Sequence, residues 1–146
     1  MELQNFLPYQ LSILSNKISS GIANYYKSKH DISIPQWRVL ALLSNSSKLT
    51  AKDLSKQSQM DKVRISRTVK SLEEKHLIKE AQCKIDARSK RYNLTQQGIT
   101  LFNEVKPKAL DFEKQLRDCL TEIQIREFHI CLDLLDKQAD KIIEEN

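Results

Sequence analysis

Along most of this chain, apolar residues recur every three or four positions, which is the spacing of one face of a helix. A first helix is predicted from about Tyr9 to Lys29, and two long helices are predicted to begin at Thr95 and Thr121, the former with a kink at Pro107. Glycine occurs only twice and proline three times among 146 residues, which disfavours many short strands. The sequence therefore predicts a mostly α-helical fold.

The spacing changes to two in one place, between Lys79 and Leu94. Residues Lys79–Ile85 and Arg91–Leu94 alternate between apolar and polar, as paired strands do. The connecting tip, residues 86–90, is charged and lacks glycine, so it does not suit a minimal two-residue turn. We expect a small β-hairpin with a longer, mobile tip.

Two shorter helices are predicted ahead of this hairpin. Thr50 is expected to cap the first by accepting a hydrogen bond from a backbone N–H near Asp53. The segment Ser58-Gln59-Met60 is predicted to form a tight turn, and Asp61 is predicted to cap the second helix, which is expected to end around Lys75-His76. A further helix before them starts at Ser33 to Pro35. A helix, a short turn, a second helix and a hairpin together predict a winged helix-turn-helix.

The helix that follows Asp61 is predicted to have two chemically different faces. Ile65, Val69 and Leu72 form the inward face. The outward face is basic and rich in hydrogen-bonding groups; its predicted DNA-binding residues are Lys62, Val63, Arg64, Ser66, Arg67 and Lys70. Arginine pairs with guanine O6 and N7, serine donates or accepts, valine contacts a thymine methyl, and lysine suits phosphates. This helix is therefore predicted to read the major groove.

The charge distribution supports this prediction. Residues 48–91 contain thirteen Lys or Arg against six Asp or Glu, a net charge of +7. The rest of the chain contains eleven basic and thirteen acidic residues, a net charge of −2. A concentrated basic field is typical of nucleic-acid binding, although a solvated surface explains such a charge run equally well on its own.

The hairpin tip is predicted to be a second DNA reader. Arg88 lies at the tip, with Lys90 and Arg91 beside it. An arginine on a thin loop can enter the narrow minor groove, where A·T-rich DNA has its most negative potential. Asp86 is expected to pair with a nearby arginine and so to shape the loop.

A homodimer is predicted from the first and the last two helices. Each carries one apolar stripe, and in an isolated chain these stripes form larger exposed apolar patches than monomers usually have. The predicted dimerisation residues are Leu11, Leu14, Ile18, Phe112, Leu116, Ile125, Phe128, Leu132 and Leu135.

Several other classes of protein are disfavoured. We find no glycine-rich phosphate loop, no recognisable pair of catalytic carboxylates and no Ser-His or Cys-His arrangement, so no enzyme, catalytic residue or cofactor is predicted. The three cysteines form no CxxC, and His30, His76 and His129 have no ligand-like spacing, so no metal site is predicted. No apolar stretch approaches ~20 residues and no signal peptide is recognisable, so we expect a cytoplasmic protein without a membrane span.

Across essentially its whole length the chain resembles the multiple-antibiotic-resistance regulator (MarR) family. The segments that carry the resemblance are Ile34–Leu40, Leu49–Leu54, Leu72–Lys75, the D-x-R-S-x-R pattern of Asp86–Arg91, and Leu94–Gly98. The resemblance implies a dimer joined by the first, fifth and sixth helices, a palindromic operator, a ligand-responsive repressor, and Arg88 as the minor-groove residue. It also implies one domain over residues 1–146, with a DNA-binding lobe at 34–95 and dimerisation regions at 1–33 and 96–146.

The chain departs from the family at His76, where a glycine usually follows the recognition helix. That glycine adopts a left-handed conformation, which histidine tolerates at a small cost.

The signal to which the protein responds is left open at this point. Family members bind small phenolic or aromatic ligands, or sense oxidants or zinc. A phenolic effector near Tyr25, Trp37 or Arg38 is one hypothesis, but the same residues are equally explained as the core and its rim. Cys83 is the one cysteine with a conceivable redox role, because Cys119 and Cys131 lie near or on apolar helix sides and are expected to be inert. An alternative function is a winged-helix protein-interaction module that does not bind DNA.

Overall fold

The computed structural model describes residues 2–81 and 89–145. Within these ranges a short 3-10 helix is followed by six α-helices and three strands. Their bounds are Leu3–Asn5 for the 3-10 helix, then α1 Leu7–His30, α2 Ile34–Asn45, β1 Leu49–Thr50, α3 Ala51–Ser58, α4 Lys62–Glu74, β2 Ile78–Glu80, β3 Arg91–Leu94, α5 Gln96–Arg117 and α6 Glu122–Glu144. The predicted fold class, mostly helical with a small β-hairpin, is confirmed.

The chain divides into two compact units between Ala109 and Leu110. The core of the first unit is built from α2, α3 and α4, whose most deeply buried side chains are at most 1% exposed: Val39, Leu40, Leu54, Ile65 and Leu72. Burying each such side chain contributes about 1.5–3 kcal/mol. These contacts hold the helix-turn-helix together.

Three aromatic rings join α1, α2 and α5 within the first unit. Trp37 stacks between Tyr26 and Phe102, with centroid distances of 5.4 Å to each ring. Burial raises the pKa of Tyr26 to about 12. Lys29, in the last turn of α1, is ion-paired with Glu104 of α5.

Side chains cap the first turns of these helices, and the cap predicted at Asp61 is confirmed. Ser33 Oγ accepts from the Gln36 N–H at the start of α2, and Asp61 Oδ1 accepts from the Arg64 N–H at 2.8 Å at the start of α4. Thr121 forms the capping box of α6 with Gln124. Each cap satisfies a backbone donor that the first turn of a helix leaves without a partner.

Thr50 both caps α3 and belongs to a strand that the sequence did not predict. Its Oγ1 accepts from the Asp53 N–H at 3.1 Å, as expected, and its own N–H donates to the Asp53 carboxylate at 2.9 Å. Leu49 and Thr50 also form β1, which pairs with Tyr92 and Arg91 of β3. The sheet is therefore three-stranded, in the order β1-β3-β2. Two residues are too few to show strand alternation.

The hairpin is confirmed where it is described. β2 begins at Ile78, one residue before the predicted start, and pairs antiparallel with β3 so that Ile78 lies opposite Leu94. The Ala81 N–H donates to the Arg91 carbonyl at 2.6 Å, which extends the pairing towards the tip. The predicted continuation of this strand, residues 82–85, lies outside the described residues.

The second unit consists of the later part of α5 together with α6. Nearly all of its described side chains are exposed; Phe112 and Ile125 are half-buried. The apolar residues of α6 stay accessible in this chain, with Phe128 46% exposed. α5 continues through Pro107 to Arg117, and the kink at Pro107 stays a prediction. No helix in the described ranges is long and apolar enough to cross a bilayer.

The capping box of α3 generates a stability prediction. Replacing Thr50 with Ala removes the hydroxyl that accepts from the Asp53 N–H and donates to its carboxylate at 2.7 Å. The free energy of unfolding should fall by about 1 kcal/mol, the usual value of an N-cap. Urea unfolding measures the change. Thr50→Ser keeps the hydroxyl and is the matched control, so equal losses in the two variants would contradict this account.

The same box makes the effect dependent on pH. Hydrogen bonds from the Thr50 N–H and hydroxyl hold the pKa of the Asp53 carboxyl below its usual value. A lowered pKa contributes stability above the pKa of the unfolded state, and that stability is lost as the pH falls through the folded pKa. The difference in free energy of unfolding between wild type and Thr50→Ala should therefore become smaller as the pH is lowered.

Candidate nucleic-acid interface

Helix α4 has one buried and one exposed side. Ile65, Thr68, Val69 and Leu72 are buried against the core. The six residues predicted to face outward, Lys62, Val63, Arg64, Ser66, Arg67 and Lys70, are all exposed. Since successive residues turn by about 100° around a helix, these six occupy roughly the half of α4 opposite the core. The structure thus brings them onto one face, which we call the α4 face.

The charge of the α4 face is available for an external ligand. Lys62, Arg64, Arg67 and Lys70 have no ion-pair partner among residues 2–81 and 89–145. Val63, 60% exposed, provides an apolar contact between them. Cationic side chains around an exposed methyl-bearing residue match the phosphates and base edges of a major groove.

The C-terminus of α4 ends in a complete Schellman motif. The His76 N–H donates to the Glu73 carbonyl at 2.9 Å, and the Leu77 N–H donates to the Leu72 carbonyl at 3.0 Å. His76 has φ 56°, so the expectation of a left-handed histidine at this position is confirmed. The motif fixes where α4 stops and where the chain turns towards β2.

Two polar side chains that the sequence analysis did not identify connect α4 to the preceding helices. The Gln36 amide, on a residue only 7% exposed, accepts from the Ser33 N–H at 2.9 Å and donates to Ser71 Oγ at 2.8 Å. Lys75 binds the carbonyl of Asp31 and, at 3.0 Å, its carboxylate. No local pattern could reveal either contact, because the partners are 35 and 44 residues apart.

Helix α3 adds two cations that the sequence analysis also left out. Lys52 and Lys56 are exposed, and their i, i+4 spacing places them on the same side of α3. In a helix-turn-helix the first helix crosses the DNA backbone. That rule, applied to the lysine spacing, could have identified them as phosphate contacts.

Two predicted DNA-binding residues in the described part of the hairpin have partners within the protein. Lys90 forms an ion pair with Glu80 at 3.1 Å, which raises the pKa of Lys90. Arg91 is half-buried, and its guanidinium donates to the Lys48 carbonyl at 3.0 Å. Both contacts support the base of the hairpin. Asp86 and Arg88 lie outside the described residues, so their roles stay predictions.

The residues suggested for an effector lie around α2. Trp37 is half-buried within its aromatic stack, and Arg38 is exposed with Nη2 3.4 Å from Ser19 Oγ. Both line a cavity of about 330 Å³ that reaches Gln57 and Ser58. Tyr25 is half-buried against the core. A ligand role for these residues stays a prediction.

The expectation for two of the cysteines is wrong for the single chain. Cys119 and Cys131 were expected to be inert through burial, but both are exposed free thiols. Cys119 lies in the turn between α5 and α6, and Cys131 lies on α6. Nearly all described side chains of the second unit are exposed, so an apolar stripe there does not bury the residues beside it. Cys83 lies outside the described residues.

Comparison with known proteins identifies the family. A family model described as the MarR family matches residues 30–89. The transcriptional regulator SarZ of Staphylococcus haemolyticus is 27% identical over 99 residues, which span 68% of this chain and 67% of SarZ. The crystal structure of a MarR/EmrR family transcriptional regulator from an Acinetobacter species is 30% identical, with a TM-score of 0.89, over 97% of this chain and 99% of that one.

A more distant structure shares the fold. Staphylococcus aureus MepR, solved as a complex with DNA, is 22% identical with a TM-score of 0.80, over 93% of this chain and 98% of that one. The sequence match at 30% identity extends over nearly the whole of both proteins and agrees with the family model. The chain therefore belongs to the MarR family of transcriptional regulators, a family of regulators rather than enzymes.

Proposed function

We propose that this protein is a ligand-responsive repressor that binds a palindromic operator in double-stranded DNA as a homodimer. The observation that carries the proposal is the α4 face, where four cations that form no ion pair with another described residue lie opposite a buried apolar stripe. The fold shared with MepR, which was solved bound to DNA, supports it. As a regulator of DNA, the protein acts in the compartment that holds the DNA, which we take to be the cytoplasm.

Within the major groove, the residues of the α4 face have different tasks. Arg64 and Arg67 contact guanine edges, because a guanidinium matches the O6 and N7 acceptors. Ser66 and Val63 complete the base contacts. Lys62 and Lys70 contact phosphates as point charges, and Lys52 and Lys56 of α3 extend that phosphate contact along the backbone.

We propose that the β-hairpin, which is the wing of the winged helix-turn-helix, contacts the minor groove. Arg88 inserts into the groove, and Asp86 shapes the loop that presents it; both roles rest on the family pattern and the charge of residues 86–91. Lys90 and Arg91 contribute positive charge at the base of the wing. There Lys90 is ion-paired with Glu80, and Arg91 donates to the Lys48 carbonyl. Insertion of arginine is most favourable where A·T-rich sequence narrows the groove.

Dimerisation uses apolar surface that the single chain leaves uncovered. Leu11 and Leu14 of α1 are exposed, while Ile18 is half-buried. In the second unit Leu116, Phe128, Leu132 and Leu135 are exposed, with Phe112 and Ile125 half-buried. Isolated chains rarely present such large apolar patches to water. We propose that residues 1–33 and 96–146 form the dimerisation region and residues 34–95 the DNA-binding lobe.

Regulation is assigned to a small aromatic or phenolic effector. The cavity beside Trp37 and Arg38 supports this proposal, because it combines an aromatic wall with a guanidinium that suits a phenolate or carboxylate.

Binding to random duplex DNA at several salt concentrations tests the function. Wild type should bind at low salt, and log affinity should fall against log salt by about 0.9 per neutralised phosphate. Lys70→Ala should reduce the slope by about 1 per subunit, whereas Lys108→Ala removes an equal charge from α5 and should leave the slope unchanged. Fluorescence anisotropy measures the affinities from which the slope of each variant is obtained. A protein-interaction module would bind no DNA even at low salt.

The dimer is tested by introducing charge into its proposed interface. Phe128→Glu combined with Leu132→Glu should give monomers or aggregates, because burying unpaired carboxylates in an apolar interface is costly. Light scattering at micromolar concentration gives the mass.

Glu127→Ala combined with Asp133→Ala changes the same number of residues on α6 without adding charge to the apolar stripe, and this control should remain dimeric. A stable wild-type monomer at micromolar concentration contradicts the proposed dimer.

A further inference from the structure

The end of the recognition helix α4 is bonded directly to the residues that start α5. The Thr95 hydroxyl donates to the His76 carbonyl at 2.7 Å, and the Thr95 N–H donates to the Leu77 carbonyl at 3.0 Å. The same hydroxyl oxygen accepts from the Gly98 N–H at 3.0 Å. Thr95 therefore bridges the turn after α4 and the first turn of α5.

Gly98 allows the two backbones to approach this closely. A Cβ at this position would lie 2.0 Å from the Leu77 carbonyl oxygen and 3.0 Å from its carbon. The obstacle is a buried backbone group, since Leu77 is only 3% exposed, so it cannot rotate away as the end of a side chain can. The glycine is required here for space, because its φ is not in the left-handed region.

Leu77 gives this junction little freedom, because both of its backbone groups are already bonded. Its N–H completes the Schellman motif by donating to Leu72, and its carbonyl accepts from Thr95. Leu77 thus bonds both to Leu72 of α4 and to Thr95, the residue directly before α5. A displacement of the first turn of α5 has to move the end of α4 or break these bonds.

We propose that Thr95 and Gly98 are positioning residues for DNA recognition. Their contacts with His76 and Leu77, which we call the α4–α5 junction, fix the orientation of the recognition helix relative to α5. The inference rests on the proposed function, in which α5 belongs to the dimerisation region. In a dimer, the direction of α5 relative to α4 in each subunit then sets the separation of the two recognition helices. The junction consequently determines the half-site spacing that the dimer accepts.

Half-site spacing distinguishes this role from simple stabilisation of the fold. A variant that merely lowers stability weakens binding to all operators by the same factor. A variant that displaces the recognition helix changes which spacing binds best, or removes the preference. Binding to a single half-site engages one recognition helix, so a variant that only displaces this helix should leave it little changed, whereas a variant that lowers stability should weaken it by the same factor as the other operators.

The experiment uses the full-length dimer and half-sites that the wild-type protein selects from random duplex DNA. Anisotropy titrations measure affinity for operators whose half-site centres are separated by a series of distances around one helical turn, ~10 base pairs. For wild type, Thr95→Ser and Gln97→Ala, affinity should peak sharply at the same half-site spacing. Gln97→Ala is a control because Gln97 is an exposed neighbour in the same helical turn. Gly98→Ala and Thr95→Val should lose about tenfold or more at that spacing, as expected for one lost base contact.

Several outcomes overturn the proposal. Gly98→Ala and Thr95→Val should lose the wild-type spacing profile, because the junction sets it. An unchanged profile in both variants contradicts the inference while leaving DNA binding intact. Circular dichroism and light scattering check that each variant folds and dimerises. If Gly98→Ala does not fold, Thr95→Val decides, because valine keeps the shape of threonine. Wild-type protein that binds no DNA overturns the proposed function and this inference together.

Discussion

The burial of one side of α4 is the constraint on which the rest of the structure depends. Ile65, Val69 and Leu72 are at most 4% exposed, and each contributes about 1.5–3 kcal/mol by leaving water. Because side chains are fixed around a helix axis, burying this stripe forces Lys62, Arg67 and Lys70 outward. Rotating α4 by a quarter turn would bury cations and expose the stripe, which is costly on both counts.

Around this helix, single residues form bonds to two elements at once. Gln36 uses both ends of its amide to cap α2 and to reach Ser71 of α4. Thr50 caps α3 while its backbone belongs to the sheet, and Leu77 bonds to the end of α4 and the start of α5. Such shared residues leave few independent motions. A rigid lobe presents its reading face without further ordering, which reduces the entropic cost of binding.

A contact could be predicted from the sequence when its two residues lie close together along the chain. The caps at Thr50 and Asp61 were predicted because donor and acceptor are three residues apart, and the left-handed His76 because its place after a helix is recognisable. The Gln36–Ser71 bond and the approach of Gly98 to Leu77 join residues 35 and 21 positions apart, where spacing carries no signal. β1 was missed because its two residues are defined only by their pairing with β3.

The central claim, that α4 reads the major groove, is tested most directly by methylation interference on a selected operator. Dimethyl sulfate methylates guanine N7 in the major groove and adenine N3 in the minor groove, so one experiment reports on both grooves. The account predicts that N7 methylation blocks wild-type binding at symmetric guanines in the two half-sites, and that Arg67→Ala loses the block at one symmetric pair. Interference from adenine N3 alone, or none at any guanine, would contradict it.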